Sequence, residues 1–485
     1  MKIYCMEYDI VIGLEIHCQL ETESKIFASD SNKFGGDPNT HIGVITLAHP
    51  GVLPKLNKKA VEYAIKLGLA FNCEINKFNF FDRKNYFYPD LPKGYQVSQD
   101  KSPICIGGEV HFKIKRGKTF SDHSVKIHHI HMEEDAGKSI HDLNPNFTYL
   151  DYNRAGTPLL EMVSEPCITS PEEAAAYLNE VRKMVRYLGI SDGNMEEGSL
   201  RADLNVSLKP KGSEKLGTKV EIKNMNSIRN LQKAAEYEIE RQAEMLRKGE
   251  TIIQETRSFD PETGKTLGMR VKETMNDYRY FPEPDLAPIV ITEEELTEAK
   301  AKMPKLPSEL FEVFSKEMEI LEEHAYLLTE EKALSDYFLA TCEHTKNYRS
   351  VSNWMLSNIK GYLNENNLEI SDFAIKPKKL AELISLIDVG TLSNSAAQML
   401  MNVLISEPNG DILALAKSNN LIQTQDTGAL NAWADEVINE NGAKVDEYKK
   451  GKKGLMGFFV GEVMKKSKGS ADPKIVNSLL SEKLK

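Results

Sequence analysis

An uninterrupted alternation of apolar and polar side chains between Ile10 and Leu20 constrains the fold of this chain more than any other feature. Every even position in that stretch is apolar, whereas Glu15, His17 and Gln19 occupy odd positions. Successive side chains of a β-strand point to opposite faces, so the pattern predicts a strand with one buried face and one polar face that carries Glu15 and His17. On a single strand, such a polar face often does no more than meet water.

The same alternation recurs in residues 201–208 and 219–223, which place Arg201 and Glu221 on polar faces. Helical patterns over residues 170–188 and 226–247 interrupt these strands. We therefore predict an α+β N-terminal domain, in which an antiparallel sheet carries a functional site on its polar face.

The character of the sequence changes near residue 290. Before that point, glycine, proline and short alternating runs predominate, as is typical of strands and turns. After it, apolar residues recur at helical spacing. The pattern predicts a strand-rich domain at residues 1–292, a helical linker at 293–330 and an all-α tail domain at 331–485.

Charge and composition narrow the class of protein. The net charge of −11 argues against indiscriminate binding of nucleic acid, which needs a local excess of lysine and arginine. The sequence has no apolar run of 18 residues and no secretory signal pattern, so we expect a cytoplasmic protein with no membrane segment. Six cysteines without a CxxC pair argue against a zinc cluster and predict free thiols.

Carboxylates and imidazoles concentrate in three short blocks. Residues 128–135 hold three histidines and three acids, residues 194–201 hold two acids beside Arg201, and Glu161 stands alone in an apolar run. Burying such carboxylates without a positive partner is costly, and a divalent cation is the natural neutraliser. Oxygen ligands with one imidazole suit Mg²⁺ or Mn²⁺ better than zinc. A magnesium site, in turn, suggests a nucleotide phosphate.

Residues 81–90 are a candidate for phosphate contact, because they combine Arg83 and Lys84 with several aromatic residues. These aromatic rings either stack on a nucleobase or fill the core. On its chemistry alone, Arg201 is a third candidate. Residues 136–139 resemble the end of a phosphate-binding loop, but Met132 stands where that motif requires a glycine, which excludes a P-loop.

A lysine-rich segment near the C-terminus, residues 449–468, holds seven lysines and one acid. Such a run is either a solvated surface or a contact with a phosphate backbone. The lysines are Lys449, Lys450, Lys452, Lys453, Lys465, Lys466 and Lys468.

Several long blocks of this sequence, taken in order, resemble the B subunit of the aspartyl/glutamyl-tRNA amidotransferases. The helical tail is similar to the YqeY-like domain of that subunit. The blocks are YDIVIGLEIHCQL (8–20), LAHPGVLPKLN (47–57), FDRKNYFYPDLPKGYQVSQ (81–99), HMEEDAGKS (131–139), NRAGTPLLEMVSEP (153–166), MEEGSLRADLNVSL (195–208), EIKNMNS (221–227) and DYRYFPEPDL (277–286).

The resemblance implies a glutamine synthetase-like cradle that acts on mischarged tRNA. ATP would phosphorylate the side-chain carboxylate of Glu-tRNA(Gln), Asp-tRNA(Asn) or both, and ammonia would then displace the phosphate. This chain has no visible machinery for releasing ammonia from glutamine. The resemblance implies that an amidase A subunit supplies it through a channel and that a small C subunit completes a heterotrimer.

The resemblance also implies roles for particular residues. His17, Glu134 and Glu161 would hold Mg²⁺, with Glu15 and Glu133 as close neighbours. Glu134 would also take part in the chemistry, together with Lys93, where the ammonia channel meets the site. Arg201 joins these candidate catalytic residues on its chemistry alone, not through the resemblance. The tail domain would contact the tRNA backbone through Lys449, Lys450, Lys452, Lys453, Lys465 and Lys466.

Two other functions remain open from the sequence. A glutamine synthetase-like ligase that acts on a free carboxylate would share the sheet, Mg²⁺ and acyl phosphate, but would have no use for a basic helical tail. A non-catalytic tRNA-binding adaptor would have the tail, but no reason to gather Glu15, His17, Glu134 and Glu161.

Overall fold

A computed structural model of the chain describes residues 7–117, 119–271, 278–423, 427–467 and 471–484. The chain forms two compact units, Met1–Ser308 and Glu309–Lys485. The boundary falls within the predicted linker, whose first helix belongs to the first unit because Leu296 is buried in that unit's core. The division into three segments at residues 292 and 330 stays a prediction.

The first unit is built on one large sheet. Thirteen of the described strands form it, and its main path runs β15-β14-β13-β12-β1-β11-β8-β5-β4-β16. The strands are β1 (Tyr8–Gln19), β2 (Glu74–Ile75), β3 (Phe78–Asn79), β4 (Asp82–Asn85), β5 (Tyr95–Ser98), β6 (Cys105–Ile106), β7 (Glu109–Arg116), β8 (Thr119–Glu134), β9 (Lys138–Ile140), β10 (Tyr149–Asp151), β11 (Pro158–Ser164), β12 (Leu200–Pro210), β13 (Val220–Met225), β14 (Glu255–Asp260), β15 (Lys265–Val271), β16 (Phe281–Pro282) and β17 (Ile289–Val290).

The helices of both units follow the chain in order. They are α1 (Lys58–Ala70), α2 (Pro171–Tyr187), α3 (Ile228–Arg247), α4 (Glu293–Ala301), α5 (Pro307–Glu312), α6 (Glu322–Leu328), α7 (Lys332–Cys342), α8 (Tyr348–Trp354), α9 (Lys360–Asn366), α10 (Pro377–Asp388), α11 (Asn394–Ser406), α12 (Ile412–Ser418), α13 (Thr427–Glu440), α14 (Gly442–Lys449), α15 (Met456–Lys466) and α16 (Pro473–Lys483). None of the described helices is both long and apolar enough to cross a membrane.

Strand β1 lies in the middle of the sheet and has the two faces that its sequence predicts. Its even residues are buried, from Ile12 (0% exposed) to Cys18 (2% exposed), and they pack in one hydrophobic core with residues of α1, α2 and α3. The helices therefore cover the apolar face, and the odd residues lie on the other face. The predicted α+β fold is confirmed, and the sheet is antiparallel except for the pair β13–β14, which runs parallel.

The two helices that interrupt the strands begin and end where their sequences predict. The Ser170 hydroxyl accepts a hydrogen bond from the Glu173 amide at 3.1 Å, which caps the N-terminus of α2. Gly189, with φ of +64°, follows the end of this helix in the left-handed conformation that glycine adopts without strain. Ser227 caps α3 in the same way. Both helices are thereby fixed against the apolar face of the sheet.

The second unit is helical throughout its described residues, as predicted. Its C-terminal part has a core of its own, in which Leu430 and Val437 of α13 pack with Phe459 of α15 and Leu480 of α16. The cysteines in the described part of the chain are free thiols, as expected, and Cys5 lies outside that part.

Candidate active site

The polar face of the sheet brings together side chains that are far apart in the sequence. In the register of four neighbouring strands, Arg201 lies opposite His17, His17 opposite Glu161, and Glu161 opposite His131. Directly opposed residues on antiparallel strands have Cβ atoms only about 5 Å apart, so their side chains interact. One row across β12, β1, β11 and β8 thus holds three basic side chains and one carboxylate, Glu161, which lies between two imidazoles.

Three of these side chains form a compact group of oxygen and nitrogen ligands, which we call the His17 group: His17, Glu133 and Glu161. His17 Nε2 lies 3.4 Å from a carboxylate oxygen of Glu161 and 4.0 Å from one of Glu133. One ligand atom from each residue lies within 4.8 Å of the other two. Two carboxylates and one imidazole are the donor set expected for Mg²⁺ or Mn²⁺, so these residues fit such an ion.

The charges of this group act strongly on one another. Burial lowers the pKa of His131, but the carboxylates of Glu161 and Glu133 outweigh it and raise that pKa to about 10. Burial likewise opposes protonation of His17, whose pKa is nevertheless raised by its hydrogen bond to Glu161. The pKa of Glu161 is held well below its ordinary value by the two imidazoles, against the effect of burial. The pocket therefore favours a positive charge between its carboxylates.

A second acidic cluster lies beside the first, and we call it the Glu15 group: Glu15, Asp203 and Glu221. Burial and the negative charges of Glu161 and Asp203 raise the pKa of Glu15. Lys223 Nζ lies 2.8 Å from Asp203 and 2.9 Å from Glu221, which neutralises only part of this charge. The ligand atoms again lie within 4.8 Å of one another, so this group could hold a second divalent cation.

Glu134 does not join either group, contrary to the expectation that it shares a metal site with His17 and Glu161. One of its carboxylate oxygens accepts hydrogen bonds from Lys93 Nζ and from the amide of Val97, at 2.9 Å for the latter. The reason is the alternation of strand β8: adjacent residues point to opposite sides, so Glu133 reaches the His17 group and Glu134 cannot. Likewise, Glu15 belongs to the second group rather than the first.

Lys93 and Glu134 border a cavity of about 250 Å³. Its lining is partly apolar and also includes Lys25, Asp135, Glu283 and Asp285. Burial lowers the pKa of Lys25 to about 8, and its ammonium donates to the backbone carbonyl of Ala155 at 2.5 Å. The cavity is therefore a pocket with acidic and basic groups on its walls, close to the end of strand β8.

Asp135 connects this cavity with the polar face. Its carboxylate accepts hydrogen bonds from Gln19 at 2.7 Å and from Arg201 at 2.8 Å. Burial raises the pKa of Asp135, but Arg201 and Arg154 together lower it below its ordinary value. Arg201 Nε is buried with no hydrogen-bond partner among the described residues, although buried donors of this kind are normally satisfied. An anionic ligand beside the His17 group would satisfy it.

The other two residues predicted to bind phosphate lie elsewhere. Arg83 makes a double hydrogen bond to Glu283, at 2.7 and 2.8 Å, and its guanidinium stacks on Tyr95. The Arg83 guanidinium is therefore already paired with the carboxylate of Glu283, which lines the cavity. Lys84 Nζ lies 5.0 Å above the ring of Tyr278. The structure thus brings neither residue to the His17 group, and a phosphate contact by either one stays a prediction.

The aromatic residues of the 81–90 segment divide between the two interpretations that the sequence left open. Phe81 is buried in the core, where it packs edge-to-face on Phe27 at 5.2 Å. Phe87 and Tyr88 are 88% and 58% exposed, so they do not fill the core.

Four acids and bases of the site were not predicted as site residues from the sequence: His131, Asp135, Asp203 and Glu221. The signal for two of them was present, because Asp203 and Glu221 sit at odd positions of alternating strands. His131 and Glu133 also share the parity that points them to one face. What the sequence lacks is the register that places these strands beside each other.

The lysine-rich segment lies in α14, α15 and the turn between them. Lys449, Lys450 and Lys465 are exposed. Lys466 Nζ lies 2.9 Å from Glu436 and 2.7 Å from Glu440, and Lys452 is 3.1 Å from Glu447. A further member, Lys468, lies outside the described residues. Lys453 stacks on the ring of Tyr448 at 4.2 Å.

Two models of known protein families match this chain. The GatB/GatE catalytic domain matches residues 10–297, which include the whole polar face described above, and the GatB domain of the YqeY type matches residues 336–484. The B subunit of the aspartyl/glutamyl-tRNA(Asn/Gln) amidotransferase of Persephonella marina is 48% identical, over 99% of this chain and 100% of its own length. Its counterpart in Thermodesulfovibrio yellowstonii is 47% identical over the same shares. The chain therefore belongs to the family of aspartyl/glutamyl-tRNA(Asn/Gln) amidotransferase B subunits.

Proposed function

We propose that this chain phosphorylates the side-chain carboxylate of Glu-tRNA(Gln), Asp-tRNA(Asn) or both with ATP, and then amidates it. The observation that carries the proposal is the pair of acidic clusters, the His17 and Glu15 groups, side by side on one polar sheet face. A carboxylate anion is a poor electrophile, and an acyl phosphate supplies the leaving group that amidation needs. Phosphoryl transfer requires positioning and neutralisation of charge, which two cation sites beside an arginine supply.

In this proposal His17, Glu133 and Glu161 would hold Mg²⁺, which when bound would neutralise charge on the phosphates. Glu15, Asp203 and Glu221 would hold a second ion of the same kind. Arg201 donates its unpaired Nε–H to a phosphate oxygen, while Asp135 fixes the guanidinium from the other side. His131 orients Glu161, with its Nε2 at 3.3 Å from that carboxylate.

Amidation uses the cavity that Lys93 and Glu134 border. Ammonia attacks the carbonyl carbon of the acyl phosphate, a C–N bond forms, and the C–O bond to phosphate breaks. The nitrogen loses one proton, which the Glu134 carboxylate accepts, and Lys93 holds that carboxylate in place. Ammonia comes from an amidase A subunit that hydrolyses glutamine, and a small C subunit completes the heterotrimer. The complex is thus a carbon–nitrogen ligase with glutamine as amide donor.

The tail domain supplies contact with the tRNA backbone through its exposed lysines, because phosphate binding depends on local positive charge. A role in protein synthesis places the complex in the cytoplasm.

The test supplies labelled ATP, Mg²⁺ and each mischarged tRNA to the reconstituted complex without glutamine or ammonia. A labelled phosphorylated aminoacyl ester supports the proposal. ATP turnover that needs only a free carboxylate and no tRNA would favour a glutamine synthetase-like ligase. An undiminished amidation rate in Glu134→Gln would favour a tRNA-binding adaptor.

A further inference from the structure

Four tyrosine rings lie beside strands β4 and β16, at the end of the sheet away from the strands of the Glu15 group. Their centroids form a chain of edge-to-face contacts, with Tyr86 at 5.9 Å from Tyr88 and 6.1 Å from Tyr278, and Tyr278 at 6.1 Å from Tyr280. We call these four residues the tyrosine cluster. Tyr88 is 58% exposed and the other three are half-buried, so part of the ring surface is open to a ligand.

The sheet itself fixes the position of this cluster. Strand β16 pairs with β4, so that Phe281 lies opposite Arg83. The amide of Asn85 donates to the carbonyl of Tyr278 at 3.0 Å, which ties the start of this segment to the end of β4. Strand β4 in turn pairs with β5, and β5 with β8, where Ser98 lies opposite Glu133. The tyrosines are therefore held at the edge of the sheet that leads to the His17 group.

The tyrosine hydroxyls lie within the field of the acidic residues at that edge. Burial raises the pKa of Tyr86, and the charges of Glu133 and Glu134 raise it further. Burial and the charges of Asp100 and Glu133 do the same for Tyr280. The charge of Glu133, a member of the His17 group, therefore reaches the hydroxyls of Tyr86 and Tyr280.

A different binding space lies next to the Glu15 group, along strands β11, β1 and β12. A cavity of about 270 Å³ opens there, and Glu15 forms part of its wall. Its other walls are mainly apolar or small, with Lys219 and Asn205 as polar groups; they include Val11, Gly13, Val163, Pro166, Leu216 and Gly217. A cavity of this kind next to the second cation site suits the base of ATP. The cavity is therefore displaced along these strands from the His17 group, whereas the tyrosine cluster lies across the sheet from the Glu15 group.

We propose that the tyrosine cluster stacks on the 3′-terminal nucleoside of the aminoacylated tRNA and that Lys84 binds the phosphate next to it. This inference rests on the proposed function. The carboxylate to be phosphorylated is joined to the terminal ribose by a short ester, so the terminal nucleoside must lie beside the His17 group. Aromatic rings with an adjacent cation are the usual platform for an unpaired base. Lys84 Nζ, 5.0 Å above the ring of Tyr278, supplies that cation.

The experiment compares the affinities of the reconstituted complex for intact tRNA and for the same tRNA without its 3′-terminal nucleotide. The wild-type complex is expected to prefer intact tRNA by about 5- to 150-fold, the value of one stacked base. Tyr280→Leu should lose most of this preference, whereas Tyr280→Phe, which keeps the ring, should retain it. Tyr149→Leu, at an exposed tyrosine outside the site, is the matched control. The KM for ATP should stay unchanged in all three variants.

An equal preference for intact tRNA in Tyr280→Leu and the wild type would overturn the inference, as would the absence of any preference in the wild type. A raised KM for ATP in Tyr280→Leu with an unchanged tRNA preference would assign the cluster to ATP instead. Mn²⁺ affinity measured on each variant shows whether the neighbouring fold is intact, since Tyr280 supplies no ligand. Failure of the proposed function would be seen separately, as a wild-type complex whose ATP turnover does not depend on aminoacylated tRNA.

Discussion

At the scale of single residues, the site depends on which neighbour each acid has. Glu133 and Glu134 are adjacent in sequence and equally buried, yet one faces His17 and the other faces Lys93. Each buried carboxylate has a cationic or hydrogen-bonding partner, as burial of charge requires. We therefore propose separable roles for the two residues, with Glu133 acting toward the cation and Glu134 toward the attacking nitrogen.

Removing a carboxylate from the His17 group should abolish its cation site. Glu161 contacts both His17 and His131, so Glu161→Gln removes the negative charge that holds the group together. We expect the affinity for Mn²⁺, used as a spectroscopic probe, to fall by at least about 100-fold, since even residues behind metal ligands contribute 10- to 100-fold. Titration by electron paramagnetic resonance measures this. Glu250→Gln, at an exposed position, should bind Mn²⁺ like the wild type, and equal affinity in both variants would contradict the assignment.

Loss of the Lys93–Glu134 pair should separate the two half-reactions. In Glu134→Gln the proton acceptor is missing, so amide formation from added ammonia is expected to fall by about 100-fold or more. Formation of the phosphorylated ester should change only a few-fold, because the His17 group is intact. Single-turnover assays of the two products provide the comparison, with Lys101→Gln as an exposed control. A parallel fall in both products would place Glu134 in the phosphoryl transfer.

At the scale of secondary structure, strand β1 serves the core and the site at once. Its even residues are buried among helices α1, α2 and α3, and its odd residues supply Glu15 and His17. A slip of the strand by one residue would turn Glu15 and His17 toward the core and would turn the apolar residues toward the polar face. Burial of the apolar face thus fixes the register of β1 and, with it, the positions of Glu15 and His17.

Leu14 lies between the two ligand positions and is 1% exposed, so Leu14→Ala should destabilise the first unit by about 2–5 kcal/mol. Both tryptophans, Trp354 and Trp433, are in the second unit, so tryptophan fluorescence would not detect this change. Hydrogen exchange of the β1 amides measures it. Leu53→Ala, at a residue that is 66% exposed, should leave that exchange unchanged, and equal exchange in both variants would argue against a buried β1.

At the scale of the whole molecule, the proposed function divides between the two units, with chemistry in the first and tRNA contact in the second. The lysines of the second unit differ in whether an acidic side chain neutralises their charge. Lys449 and Lys450 are exposed, whereas Lys466 is shared between Glu436 and Glu440. The exposed lysines should therefore contribute most to phosphate contact.

This difference can be measured as salt dependence. Replacement of Lys449, Lys450, Lys452 and Lys453 by glutamine should lower the slope of log affinity against log salt by about 2–3, since each phosphate contact contributes about 0.7–0.9 and Lys452 already shares its charge with Glu447. Lys466→Gln is the matched control and should change the slope by less than about 0.7, because its charge is already neutralised. Binding titrations of the complex with tRNA at several salt concentrations provide both values. An unchanged slope in the fourfold variant would remove these lysines from the tRNA contact.

The sequence by itself determined the strands, the faces and the family. The two-residue period of Ile10–Leu20 is a local property, so it predicted correctly that Glu15 and His17 share a polar face. The caps of α2 and α3 were predictable for the same reason, since each depends on a few adjacent residues. Only the tertiary structure decided which acids gather. The register that sets His17 opposite Glu161 joins strands distant in the chain, and no local pattern encodes it. That long-range pairing brought Glu133 and Glu161 to His17, and it brought Asp203 and Glu221 to Glu15.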